Sequence, residues 1–156
     1  VGPVLDPKGI EVIMTYLGIK PKAKTLAEAS AARAHVMRDL FPNVPQSRWD
    51  EEVAKFFNET PEGLELTYDA KLRDAVEASS HAAVPDLWPW LEALNGLPVA
   101  IIRGANSDLL TQETYEEMLK RLPEAKGAVV PDRAHVPFLD EPEAVDLLHA
   151  WIADMQ

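Results

Sequence analysis

The chain has 156 residues, 47% of them hydrophobic and 26% charged, which is ordinary for a globular protein and close to the size of one compact domain. Cysteine is absent, which excludes a disulfide scaffold, a thiolate zinc site and a cysteine nucleophile. Lys and Arg number 15 against 26 Asp and Glu, so the formal charge is −11, a field that repels phosphate backbones and anionic lipid and makes nucleic acid and membranes unexpected partners.

Asp6-Pro7 is a helix start, a capping carboxylate followed by Pro at the first helical position. Ile10, Ile13, Met14 and Leu17 follow at helical spacing, and Gly18 can end that helix in the left-handed region. Thr25 to Glu28 reads as a capping box before an Ala-rich helix running to about Leu40. Ser47 can cap a third helix with Trp49, Val53, Phe56 and Phe57 as its apolar face. Pro61-Glu62-Gly63 is a turn, and the alternation of Leu64, Leu66 and Tyr68 allows a short extended piece. Asp69 caps a further helix. This first stretch reads as helical throughout, with no strand long enough to be central in a sheet.

The second stretch differs. Asp86 can cap a helix from Leu87 to Leu94, closed by Gly96. Pro98 to Ile102 is a short apolar run with β-branched residues, which suits a strand buried in a parallel sheet. A loop with Asp108 follows, then a helix capped by Thr111. Gly127 to Val130 is a second such strand. A loop with His135 follows, and Pro142 opens the last helix. Strands alternating with helices indicate a parallel sheet with covered faces. No internal repeat or low-complexity segment is present.

In an open parallel sheet, function gathers in loops that leave the carboxyl ends of strands. Asp108 and His135 are both in such loops, 27 residues apart, on consecutive strands. An imidazole that donates from one nitrogen to a carboxylate leaves the other nitrogen as a general base near neutral pH. The spacing alone leaves two readings open. Either this is the acid–base half of a hydrolytic triad, or Asp108 caps the next helix and His135 is an ordinary loop histidine.

The segment Ile101 to Leu110, Ile-Ile-Arg-Gly-Ala-Asn-Ser-Asp-Leu-Leu, resembles the acid loop after the seventh strand of α/β-hydrolases. Val129 to Pro137, followed by Leu139-Asp140-Glu141-Pro142, resembles their catalytic-histidine loop and final helix. The resemblance covers essentially the whole chain. It implies an α/β fold class: a mostly helical portion of an α/β-hydrolase fold, with a helical lid over residues 1–83 and the C-terminal part of the core over 84–156. It implies Asp108 as the triad acid and His135 as the triad base. Two positions depart from the family pattern. Ala134 stands before the His where Gly is usual, and Ser107 adjoins Asp108. Asp108 is kept as the acid because a neutral Ser cannot stabilise an imidazolium.

The chain has five serines, Ser30, Ser47, Ser79, Ser80 and Ser107, and none sits in G-x-S-x-G, the strained turn that exposes a nucleophilic hydroxyl. Ser79 and Ser80 adjoin His81, but sequence neighbours in a helix point to different sides. The resemblance therefore implies that the nucleophile and the first strands precede residue 1, and that the chain alone is inactive. With most of the sheet absent, the two strands leave open edges and an uncovered apolar face, so self-association, or pairing with the missing N-terminal part, is expected. The family's nucleophile is Ser, or Asp in its dehalogenase branch. Trp88, Phe56 and Met14 are candidate substrate-binding residues for a small hydrophobic molecule such as an ester, with ordinary helix packing as the alternative. The histidines show no metal-ligand spacing, and neither a metal nor another cofactor is expected. With no signal peptide visible, the expected compartment is the cytoplasm. Two other readings remain: a non-enzymatic helical module that binds an apolar ligand or protein partner, and one chain of a two-chain protein.

Overall fold

The structure is a computed structural model that describes residues 2–80 and 85–155. Its elements, in order, are α1 (Pro7–Met14), α2 (Leu26–Met37), α3 (Gln46–Ala54), β1 (Phe57–Thr60), β2 (Gly63–Leu66), α4 (Leu72–Ser80), α5 (Trp88–Glu92), β3 (Ala100–Gly104), α6 (Gln112–Arg121), β4 (Lys126–Val130) and α7 (Pro142–Ala153). The chain divides into two compact units. One comprises Val1–Ile10 and Pro85–Gln156, and the other Glu11–Val84. Among the described residues, no helix is long and apolar enough to cross a membrane.

In the unit of residues 11–84, α2 packs on α3. Thr25 caps α2 by accepting from the Glu28 amide at 3.2 Å, and the Glu28 carboxylate reaches back to the Lys24 amide at 2.8 Å. Between the two helices lies a polar knot. Ser30, 1% exposed, donates to Asp50, and Gln46 donates to both, at 2.6 Å to Ser30 and 3.1 Å to Asp50. These bonds hold the Asp50 carboxyl below the usual carboxylate range. Phe41 meets Trp49 edge to face at 5.7 Å. Ala29, Val53 and Leu64 form the buried centre, with Leu26 and Phe57 packed on it.

Two expectations for this unit change. The stretch is not helical throughout, because β1 and β2 form an antiparallel hairpin with Phe57 opposite Leu66 and Thr60 opposite Gly63. The third helix also starts earlier and ends sooner than its apolar spacing suggests. Pro45, in extended geometry, precedes it, Ser47 lies inside it without capping, and it stops at Ala54. The hairpin supplies the reason for the stop. Thr67 donates its amide to the Phe56 carbonyl at 3.0 Å and its hydroxyl to the Lys55 carbonyl at 2.8 Å. Those acceptors beyond the helix end are thus satisfied by returning chain. Burial of Phe57 and Leu64 in one cluster outweighs the helical period.

In the other unit, β3 and β4 pair in parallel, from Ala100 opposite Lys126 to Gly104 opposite Val130. Ile101, Leu110, Tyr115 and Met118 form its buried cluster, covered by Trp88 and Leu91 of α5 and Leu119 of α6. Helix α7 packs on both strands, and the Trp151 indole donates to the Pro98 carbonyl at 2.9 Å. The expected strand–helix order holds here. Thr111 caps α6 as read, accepting from Thr114 N at 3.1 Å, whereas Asp86 accepts from Trp88 N at 3.0 Å one residue before Leu87, the N-cap of α5. The helix after Asp86 is only five residues long, shorter than expected.

At the carboxyl end of this sheet, Gly104 allows an unusually close approach. A Cβ there would lie 2.2 Å from the Ala134 carbonyl oxygen and 2.3 Å from that of Arg133. Both are backbone atoms that cannot swing aside. Gly104→Ala is therefore expected to destabilise the folded protein by about 1–3 kcal/mol, the usual cost of overpacking a tight site. The unfolding midpoint in urea, compared with that of wild type, checks this.

Candidate active site

The loop after β3 is built around a buried guanidinium. Arg103, 7% exposed, donates from Nε to the Leu110 carbonyl at 2.8 Å and from Nη1 to the Ala105 carbonyl at 3.2 Å. The chain between those carbonyls is thus closed over one side chain. Ser107 tightens the bend, donating its amide to the Gly104 carbonyl at 3.0 Å and accepting from the Leu110 amide on Oγ at 3.1 Å. From the N-terminal segment, Asp6 N donates to the Leu109 carbonyl at 3.1 Å. Gly9 packs so closely that a Cβ there would lie 2.8 Å from the Asp108 carbonyl oxygen. The Ser107 hydroxyl is spent inside the loop, while Asp108 presents a half-buried side chain.

The loop after β4 lies against this one. Ala105 N donates to the Val130 carbonyl and Asn106 N to the Arg133 carbonyl, each at 2.8 Å. Ala134 is buried and His135 half-buried. The left-handed positions of this loop are Asp132, with φ 57°, and Leu139, with φ 68°. Ala134 is not one of them, so its side chain causes no backbone strain. Glu141, 8% exposed, accepts on Oε1 from Arg133 Nε at 2.8 Å and from Phe138 N at 3.1 Å, and on Oε2 from Leu139 N at 2.9 Å.

The structure thus brings the Asp108 and His135 loops together. Burial, and after it the positive charge of the chain's N-terminus, lowers the His135 pKa below its ordinary 6.5, and the weaker effect of the Asp108 carboxylate opposes that shift. A neutral imidazole under the influence of a carboxylate can accept a proton and be stabilised once it has done so. The loops contain no hydroxyl or carboxylate in a nucleophile turn.

The remaining sequence candidates are placed elsewhere. Trp88 belongs to the unit that carries Asp108 and His135, but its ring packs on the core cluster, with the Arg121 guanidinium 4.2 Å from its centroid. Met14 and Phe56 belong to the other unit. Met14 is half-buried at the end of α1, where its carbonyl accepts from Arg73, and Phe56 is 47% exposed. His35 and His149 are exposed, and His81 lies outside the described residues. Among the described residues, no group of three or more His, Asp or Glu could hold a metal ion. Sequence reasoning missed Arg103 and Glu141. The only signal for Glu141 was its place before the Pro that opens α7, which marks a helix start and not a loop brace.

Similarity to known proteins points to the family and the fold. The model of the alpha/beta hydrolase family matches residues 1–146. A 3-hydroxybutyrate-oligomer hydrolase of Cupriavidus necator is 34% identical over 153 residues, covering 93% of this chain and 52% of that protein. The crystal structure of an alpha/beta hydrolase from Novosphingobium aromaticivorans DSM 12444 superposes with a TM-score of 0.87 at 28% identity, over 98% of this chain and 54% of that one. E-2-(acetamidomethylene)succinate hydrolase shares the fold, with a TM-score of 0.68 at 16% identity over 99% of this chain and 53% of its own. The chain spans about half the length of these relatives. The matched residues include both strands, both loops and the helices around them, and the chain belongs to the alpha/beta hydrolase family.

Proposed function

We propose that this chain supplies the acid and the base of a Ser-His-Asp hydrolase acting on esters or related small hydrophobic substrates. The observation that carries the reading is the joining of the two loops at the ends of adjacent parallel strands, with the Asp108 charge acting on the half-buried His135 ring. In this reading a seryl hydroxyl attacks the ester carbonyl and His135 takes its proton. His135 then returns that proton to the leaving alkoxide, and Asp108 holds the ring in the working tautomer and stabilises the imidazolium. The absence of G-x-S-x-G from the 156 residues supports a nucleophile outside them, as does the coverage of only 52% of the Cupriavidus relative. That relative's substrate makes a 3-hydroxybutyrate dimer, which is joined by an ester, a sensible first probe.

In a longer protein that contains this chain together with the nucleophile, His135→Ala is expected to lower kcat by at least about 10²–10⁴-fold, the usual contribution of a general acid–base group. Asp108→Asn should cost on the order of 10⁴-fold, by leaving the wrong tautomer in place. Steady-state kinetics on the 3-hydroxybutyrate dimer and on an aryl ester check both. Activity retained in either variant would overturn the assignment.

The pH dependence has a definite sign. The base works when neutral, and burial lowers its pKa, so kcat/KM should fall on the acid side with an inflection below 6.5. The Asp108 carboxylate raises that pKa, so whatever activity Asp108→Asn retains should show its inflection at still lower pH. An upward movement in the variant would contradict the pairing.

We also propose that the isolated chain self-associates, or pairs with the rest of a hydrolase core. The parallel sheet of this unit has only two strands, and Trp90 and Leu97 expose 76% and 57% of their surface. Open strand edges and exposed apolar surface drive association. The isolated 156-residue chain is expected to sediment as more than a 17.3 kDa species and to show no ester hydrolysis above background. A stable monomer would contradict the first expectation, and a turnover abolished by His135→Ala the second.

A further inference from the structure

Glu141 has an unusual position for a buried acid. It is the N-cap residue of α7, yet its side chain makes no cap hydrogen bond to that helix. Pro142 follows it, so the first helical position has no amide to satisfy. The carboxylate turns back toward the preceding loop. It accepts from Arg133, two residues before His135, and from the amides of Phe138 and Leu139, three and four residues after it. The stretch that carries His135 is thus closed at both ends on a single carboxylate. The Arg133 end of this closure continues into the other loop, because the Arg133 carbonyl accepts from Asn106 N at 2.8 Å. The Leu139 end holds a non-glycine residue in the left-handed region, with φ 68°, a conformation that costs an L-residue energy.

We propose that Glu141 is a positioning residue for His135, acting through Arg133 and the Phe138 and Leu139 amides to set where the imidazole sits relative to Asp108. This rests on the assignment of Asp108 and His135 as acid and base. A buried carboxylate is well suited to the role. Its bonds to Arg and to backbone amides are charge-assisted and directional, and low exposure keeps water from competing. A neutral amide in its place presents a donor to Arg133 or to the amides, so one end of the closure opens.

The test uses the longer protein with its nucleophile, and compares Glu141→Gln, Arg133→Met, Asp108→Asn, His135→Ala and the Asp108→Asn/Glu141→Gln double variant. Each is assayed for kcat and KM on an aryl ester and for its melting temperature. Displacement of a reacting group by about 1 Å can cost 10²-fold, so Glu141→Gln is expected to lower kcat by about 10–100-fold with KM within about twofold. Arg133→Met should lower kcat in the same way but less. Once Asp108 is neutralised, Glu141→Gln should cost much less than it does alone, because both changes act on one alignment. A purely structural Glu141 would lower the melting temperature and the active fraction together, with independent effects in the double variant. If Glu141→Gln does not fold, Arg133→Met decides: lowered kcat supports the proposal and wild-type kcat overturns it. Wild-type kcat in folded Glu141→Gln, with His135→Ala inactive, overturns the positioning role alone. Full activity in both Asp108→Asn and His135→Ala would instead remove the acid–base assignment, and the positioning role with it.

Discussion

The arrangement at the end of the parallel sheet depends on how closely two peptide carbonyls approach Gly104. Parallel strands in register bring their ends within a few ångströms, but the loops beyond them normally diverge. Here the Arg133 and Ala134 carbonyls lie where the first carbon of any side chain at residue 104 would have to be. That approach lets Asn106 N reach the Arg133 carbonyl and Ala105 N reach the Val130 carbonyl, so backbone bonds join the two loops and no side chain has to span them. Backbone bonds of this kind do not depend on rotamer choice. The two loops that carry Asp108 and His135 are accordingly joined by the chain path itself.

Two buried charges brace these loops, and they do so in complementary ways. Arg103 is a cation that binds the carbonyls of Leu110 and Ala105, while Glu141 is an anion that binds the amides of Phe138 and Leu139. Each gathers one loop from inside. Burying a charge without compensation is costly, and both are compensated by multiple hydrogen bonds. In the other unit a polar knot of the buried Ser30 with Gln46 and the exposed Asp50 carboxylate ties α2 to α3.

What the sequence disclosed depended on how local the determining interaction was. Caps at Asp6, Thr25 and Thr111, and the Pro that opens α7, were readable because each acts within about one turn. The strands at 100–104 and 126–130 were readable from β-branched apolar runs, and with them the loops that hold Asp108 and His135. Of the hairpin at 57–66, the turn at 61–63 and the second strand were readable, but the first strand was not. Trp49, Val53, Phe56 and Phe57 continue a helical period, and only the Thr67 bonds to Lys55 and Phe56, with the burial of Leu64, reverse it. Arg103 and Glu141 were invisible for the same reason. An Arg before Gly and a Glu before Pro carry no periodic signal, and their partners are fixed only once both loops have closed.

The opposing influences on His135 have a chemical consequence within the proposed mechanism. Burial, the largest influence, and the positive N-terminus favour the neutral ring, and the Asp108 carboxylate favours the charged one. A resting imidazole is therefore free to accept a proton near neutral pH. The carboxylate's benefit is felt mainly after the proton arrives, since its attraction is for the imidazolium. A base held neutral by burial and stabilised on protonation by a fixed anion places its electrostatic gain in the transition state and spares the resting state. This division works only while the ring stays where Asp108 can act on it. In the proposed mechanism the two backbone bonds between the loops and the carboxylate that closes the His135 loop are therefore as much a part of the acid–base chemistry as the ionisable pair.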